Sequence, residues 1–199
     1  MVSASGLISY AAVSALLAQL ARDLGKERER GLYLKWGGKP TTQLLRHRTS
    51  KLEPSTLERY HTKLARLVGI RMPSADEEKH DSNAADNAYE SGVRWLREAT
   101  RDKRKFTLIF SENVNYGFRR NLWAMKPAGT LLSTGGAVAC GVAIATNHVG
   151  GESSLLMPMM GLAANVILLV WWVIRIKPSW VKITADAYAE RILAACDVI

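Results

Sequence analysis

The run PAGTLLSTGGAVACGVAIATNHV, residues 127–149, is followed after five small or polar residues by LLMPMMGLAANVILLVWWVI, residues 155–174, and neither run contains Lys, Arg, Asp or Glu. At a rise of about 1.5 Å per helical residue, each reaches roughly 30 to 35 Å, enough to cross a hydrocarbon core of about 30 Å. The two runs therefore read as a transmembrane hairpin. The fold class that follows is mainly α: an integral membrane protein with that hairpin, a short N-terminal span and a small helical cytosolic domain. Its expected divisions are an N-terminal membrane helix over 1–21, a basic helical cytosolic domain over 22–126, the hairpin over 127–174 and a cytosolic amphipathic tail over 175–199.

Whole-chain averages conceal this, since a hydrophobic fraction of 48% and a mean hydropathy of −0.05 resemble those of a soluble protein. The charge is concentrated instead. Of 27 Lys and Arg, 23 lie in residues 22–126 beside 14 Asp and Glu, so the whole net charge of +9 resides there. Within that region residues 35–71 carry a local +7, and residues 74–90 a local −5. A basic block of this kind suits a nucleotide or nucleic acid, anionic headgroups, or a cytoplasmic segment obeying the positive-inside rule. With only Cys140 and Cys196, neither a disulfide framework nor a thiolate zinc site is available.

Arg119, Arg120 and Lys126 precede the first long run, no Lys or Arg occurs in 146–154, and Arg175, Lys177 and Lys182 follow the second. Basic flanks are retained on the cytoplasmic side, so the turn is expected outside, and the main domain and C-terminus inside. A third apolar run, 6–21, has basic residues only after it, which predicts an outside N-terminus. Its sixteen residues reach about 24 Å, so spanning requires a thinned bilayer or help from polar neighbours. The alternative is a helix packed on the soluble domain with Leu7, Leu16, Leu17 and Leu20 inward.

The region between reads as short helices with clear punctuation. Pro40 and Thr41 mark one start, and Pro54-Ser55 another, after which Leu57, Tyr60, Leu64 and Leu67 form an apolar stripe opposite Arg59, Lys63 and Arg66. Residues 72–82 read as an acidic loop or helix lead-in, 87–101 as a third helix, and 106–123 as a fourth running into the membrane.

WGGKPTTQLLRHR, residues 36–48, holds two glycines, a lysine and a helix start, the ingredients of an anion site. It is not a Walker A loop, because Tyr33 stands where the first glycine belongs and Pro40 follows the lysine. A purely structural turn and cap is the simpler account of it. If a phosphorylated ligand binds anywhere, Lys39, Thr41, Thr42, Arg46, His47 and Arg48 are the expected contacts. Tyr116, Arg119, Arg120, Trp123 and Lys126 are expected at the membrane interface, anchoring the chain in headgroups or coupling the domain to the spans. In the first span Gly129, Ser133, Ala137, Gly141 and Ala145 repeat every four residues and predict close helix packing, within the hairpin or between protomers. Asn165, in the middle of the second span, requires a hydrogen-bonding partner or a pore to line. Glu58 and Glu77 each precede a histidine by three residues, but the second pair falls in the polar stretch after Pro73, so no metal site is expected. No nucleophile frame occurs, so no catalytic residue and no cofactor is expected.

The strings WGGKPTTQLLRHR (36–48) and YGFRRNLW (116–123) resemble those of a group of small uncharacterised bacterial multi-pass membrane proteins, across most of the chain. The layout, a membrane hairpin joined to a basic cytosolic domain, is similar to that of membrane effectors in anti-phage systems. The resemblance implies a bacterial inner (cytoplasmic) membrane protein. The expected function is a sensor and effector whose basic domain binds an anionic ligand or partner and alters helix packing, opening a pore in anti-phage defence. A membrane-anchored scaffold that docks a cytosolic protein is the alternative. The expected partners are the lipid bilayer, further copies of the chain, a nucleotide or nucleic acid, and a cytosolic protein.

Overall fold

A computed structural model describes residues 4–150 and 155–199, and within them every regular element is helical. The elements are α1 (Ala4–Trp36), α2 (Pro40–Leu45), α3 (Pro54–Val68), α4 (Ala75–His80), α5 (Ser82–Ala99), α6 (Thr107–Ala124), α7 (Lys126–Gly150), α8 (Leu156–Ile174) and α9 (Pro178–Ala194), with a final 3-10 turn at Ala195–Asp197. Residues 151–154 of the expected extracellular turn, 146–154, lie outside the described residues.

Three of these helices, α1, α7 and α8, are long and apolar enough to cross a membrane. Contacts group the chain into two units, residues 1–28 with 119–181, and residues 29–118 with 182–199. These divisions fall inside α1, α6 and α9, whereas the expected ones stand at 21, 126 and 174. In particular α1 has 33 residues, so the short apolar run is the first half of a helix about 50 Å long. The alternative in which its leucines enter the soluble core is not adopted: Leu7, Leu16, Leu17 and Leu20 are 59%, 65%, 52% and 56% exposed.

In the first unit α7 packs along α8, and α8 has no buried residue. Leu131, Val138, Met157, Ile167 and Val173 all face outward. Water would penalise that exposure, whereas hydrocarbon does not, and close packing of small residues then becomes the main attraction between the helices. A Cβ on Gly129 would run into the Trp172 indole, Ser133 is buried, a Cβ on Gly136 would run into the Asn165 amide, and one on Gly161 would come within 2.9 Å of Cys140 Sγ. The contacting positions on α7 are thus 129, 133, 136 and 140. Of the expected every-fourth-residue stripe, Gly129 and Ser133 lie on this contact, whereas Gly141 borders open space and Ala145 is exposed. Each step of four turns the helix by about 400°, so a strict repeat of four drifts off the contact face by about 40° per step. Asn165 is satisfied inside the hairpin, its Nδ2 donating to the Gly161 carbonyl at 2.8 Å.

The second unit has an ordinary apolar core of Leu45, Leu57, Leu64, Tyr89, Val93, Leu96, Ile192 and Leu193, closed by Cys196. Burial pushes the Cys196 thiol up to about 11, so it packs as a small apolar group. Of residues 72–82, expected as an acidic loop or helix lead-in, 75–80 form α4. Ser74 accepts from the Glu77 amide while Glu77 Oε2 accepts from the Ser74 amide, and this capping box starts α4. Asp81 then accepts from Asn83 and Ala84, so α5 begins at Ser82, five residues before the expected start.

A Gly136→Val substitution is expected to cost about 1 to 3 kcal/mol by forcing α7 from α8, while Gly135→Val, beside open space, should cost little. Thermal unfolding of the full chain in detergent measures both; equal shifts would rule out the packing assigned to Gly136.

Candidate functional site

The WGGKPTT segment forms a tight reversal. Gly37 and Gly38 have φ of 81° and 133°, conformations that L side chains resist, and a Cβ on Gly38 would meet Arg46 NH2 at 2.9 Å. The reversal ends α1, through Gly38 N donating to the Tyr33 carbonyl at 2.8 Å, and Pro40 opens α2. It also aims the Gly37 carbonyl at Arg46, whose NH1 donates to it at 2.8 Å.

Arg46 is 8% exposed and carries a bidentate pair with Asp86 on α5, Nε to Oδ1 at 2.7 Å and NH2 to Oδ2 at 2.5 Å. The Asp86 carboxylate holds the guanidinium still further above its ordinary value. Lys39 Nζ donates to Glu90 Oε2 at 2.6 Å. Thr41 and Thr42 are buried in α2. Glu78 is 1% exposed and accepts from the His47 amide at 2.7 Å, the Arg48 amide at 3.3 Å and the Tyr89 hydroxyl at 2.9 Å, with Arg48 Nε at 3.5 Å. The structure therefore brings all six expected ligand contacts into one small region, and the acidic α4 and α5 engage all three of their formal charges. The +7 and −5 segments that adjoin in sequence meet in space as ion pairs.

His47 and His61 sit edge to face with ring centroids 4.9 Å apart, and His61 stacks on Tyr89 at 5.3 Å. His61 Nε2 lies 2.7 Å from the Leu45 carbonyl and His47 Nε2 lies 3.1 Å from that of Pro73. A carbonyl only accepts, so both rings carry a proton on Nε2. Burial lowers the His61 pKa, and burial together with the Glu78 bond raises that of Tyr89. Glu58 stays on the exposed face of α3, away from this pair, and no group of three or more His, Cys, Asp or Glu fit to hold a metal ion occurs among the described residues.

Of the five residues expected at the interface, Tyr116 is placed otherwise. It is 6% exposed, donates to Glu29 Oε1 at 2.7 Å, lies 3.3 Å from the Tyr33 hydroxyl and stacks on Tyr188. It belongs to the core of the second unit because the helix turns it inward, and burial raises its pKa. In the first unit, Lys126 Nζ donates to the carbonyls of Val173 at 3.1 Å and Ile176 at 2.8 Å, holding the C-terminal end of α8 from the first turn of α7. Arg119 NH1 donates to the Trp180 carbonyl at 2.9 Å, with its guanidinium 4.8 Å from the indole centroid. Arg120 reaches Asn121 Oδ1 at 3.0 Å, and Trp123 is half-buried. Arg28 NH1 donates to the Ala124 carbonyl at 3.0 Å, and Gly25 admits Asn121, whose backbone would lie 3.1 Å from a Cβ there. Cations of α1, α6 and α7 thus hold the ends of α6, α8 and α9.

Sequence reading overlooked Glu78, Asp86 and Glu90 as partners, and the contact of Arg28 with the end of α6. The Ser74-x-x-Glu77 capping box was a readable signal for α4 and hence for a folded Glu78; nothing local marked Arg28.

Two outcomes test the network. Arg46→Ala should destabilise the protein by about 2 to 4 kcal/mol, since it strands a partly buried carboxylate, while Lys39→Ala, at the surface, should cost under about 1 kcal/mol. For His61, a folded pKa below the unfolded value of about 6.5 means the unfolded chain binds more protons, so stability is full above that value and falls with acidification below it. Melting temperatures between about pH 7.5 and 5 should show that slope, reduced in His61→Gln; an unchanged slope would assign it to other groups.

Comparison of the chain with protein-family models, with curated proteins and with solved structures gives no match.

Proposed function

We propose that the chain is a bacterial inner-membrane sensor and effector in which a change in the helical domain, on binding an anionic ligand or partner, is passed to the packing of the transmembrane helices. The observation that carries this reading is the junction in which Lys126 and Arg119 tie the α6–α7 connection to the end of α8 and the start of α9. Both α6 and α9 continue in sequence into the domain, so a shift in either bears on the hairpin's charged end. The ligand step is an exchange: an anion at Lys39, Arg46 and Arg48 competes with Glu90, Asp86 and Glu78, which loosens α2 from α4 and α5. The N-terminus lies outside and the domain and C-terminus in the cytoplasm, on the basic flanks of the spans. Several copies together form the pore, since α7 and α8 pack closely on each other and Asn165 is satisfied within them. No catalytic step is assigned.

A membrane-anchored scaffold is the second reading. Phe110, Val114 and Phe118 recur every four residues on α6 and are 40%, 51% and 62% exposed, a surface suited to a cytosolic protein.

Membrane potential in cells expressing the chain, with and without phage challenge, separates the two. A charged hydrogen bond of about 1.5 kcal/mol biases a two-state equilibrium about tenfold, so Lys126→Met should change the depolarised fraction by that order at unaltered abundance. Absence of depolarisation under every condition would overturn the effector reading and leave the scaffold.

A further inference from the structure

The two units balance their charges in different ways. In the second unit cations face carboxylates: Lys39 with Glu90, Arg46 with Asp86, Arg48 with Glu78 and Arg59 with Asp197. In the membrane unit, segments 22–28, 119–126 and 175–177 bring eight Lys and Arg to the charged ends of the apolar helices against only Asp23 and Glu27. There Arg28, Arg119 and Lys126 donate to backbone carbonyls. A carbonyl satisfies a donor but leaves the positive charge uncompensated. Four further cations, Arg22, Lys26, Arg175 and Lys177, are exposed. Among the described residues no ion pair engages any of them, and Arg175 has only the Trp180 ring, 5.8 Å away.

Arg22 directly follows the apolar run of α1, and Arg175 directly follows that of α8. Both positions therefore fall where a hydrocarbon layer gives way to headgroups. Trp180, flanked by Arg119 and Arg175, supplies the amphipathic ring favoured at that depth. For a chain inserted in a bilayer, the headgroup layer is the source of counter-charge nearest to these exposed cations.

We propose that this end of the membrane unit is a binding site for the phosphate headgroup of an anionic glycerophospholipid, held by Arg22, Lys26, Arg175 and Lys177 beside Trp180. The site rests on the membrane reading above but not on the effector reading. It places headgroup contact on four cations that form no ion pair among the described residues, rather than on Arg119 and Lys126, which donate to helix-end carbonyls. Each Lys or Arg near an anionic surface contributes on the order of 1 kcal/mol, so together they favour anionic over zwitterionic lipid by at least about tenfold.

The test uses the full chain. Alkaline extraction and flotation with neutral phosphatidylcholine vesicles first checks insertion; failure to float would sink the membrane reading itself and this site with it. Native mass spectrometry of the detergent-solubilised chain then compares retained phosphatidylglycerol with phosphatidylcholine. The expected result is a preference of about tenfold or more for phosphatidylglycerol, falling below about threefold when Arg22, Lys26, Arg175 and Lys177 are all replaced by Gln. Equal retention of the two lipids by a protein that floats, or an unchanged preference in the quadruple variant, overturns the site alone. The four positions are exposed, and the variant's melting temperature in detergent checks that its fold is intact.

Discussion

A backbone that crosses hydrocarbon has to satisfy its own hydrogen bonds, and the constraint is sharpest where a span ends. Helix geometry settles the interior of α7 and α8, but the last carbonyls of α8 have no helical partner. Lys126 supplies one, placing an ammonium on Val173 and Ile176 at the negative end of the helix dipole. One side chain thereby closes the base of the hairpin, fixes the α6–α7 connection beside the start of α9, and brings Arg119 to Trp180. The small residues of α7 set how closely the helices approach, and this contact sets where they are held together.

The helical domain solves a different problem by a different route. Its basic and acidic segments would each repel themselves if left alone, and the fold pairs them. Arg46 and Glu78 are the two charged groups taken furthest from water, and each is surrounded by partners, a carboxylate and a carbonyl for the first, two amides and a hydroxyl for the second. Burial at this level is tolerable only when every polar atom is met, which is why the glycine reversal at 37–38 and the capping box at 74–77 matter beyond their own turns. The first aims a carbonyl at Arg46, and the second sets α4, and Glu78 with it. A ligand acting here competes with protein carboxylates rather than filling an empty cradle.

The contrast between the units also bears on function. Cations paired to carboxylates answer to ligands that displace those carboxylates, while cations bonded to carbonyls, or to nothing, keep their field. The first arrangement suits a site that changes state, and the second a site that stays attached to an anionic surface. The exposed stripe of Phe110, Val114 and Phe118 belongs to neither and is the feature by which the domain could hold another protein.

Composition and order along the chain determined the hairpin, the all-helical class and most helix starts, because span length, proline and glycine punctuation and capping boxes act over a few residues. The stripe Leu57, Tyr60 and Leu64 was legible for the same reason, being periodic. Tertiary structure alone decided what the charges do. Lys39 and Glu90, Arg46 and Asp86, or Lys126 and Ile176, stand 40 to 51 residues apart, and no local rule pairs them. The same holds for Tyr116, whose flanking arginines suggested a headgroup boundary until the helix turned its ring toward Tyr188. Whether a cation is free for a ligand or committed to a neighbour depends on which surfaces fold together, and that is a property of long-range packing.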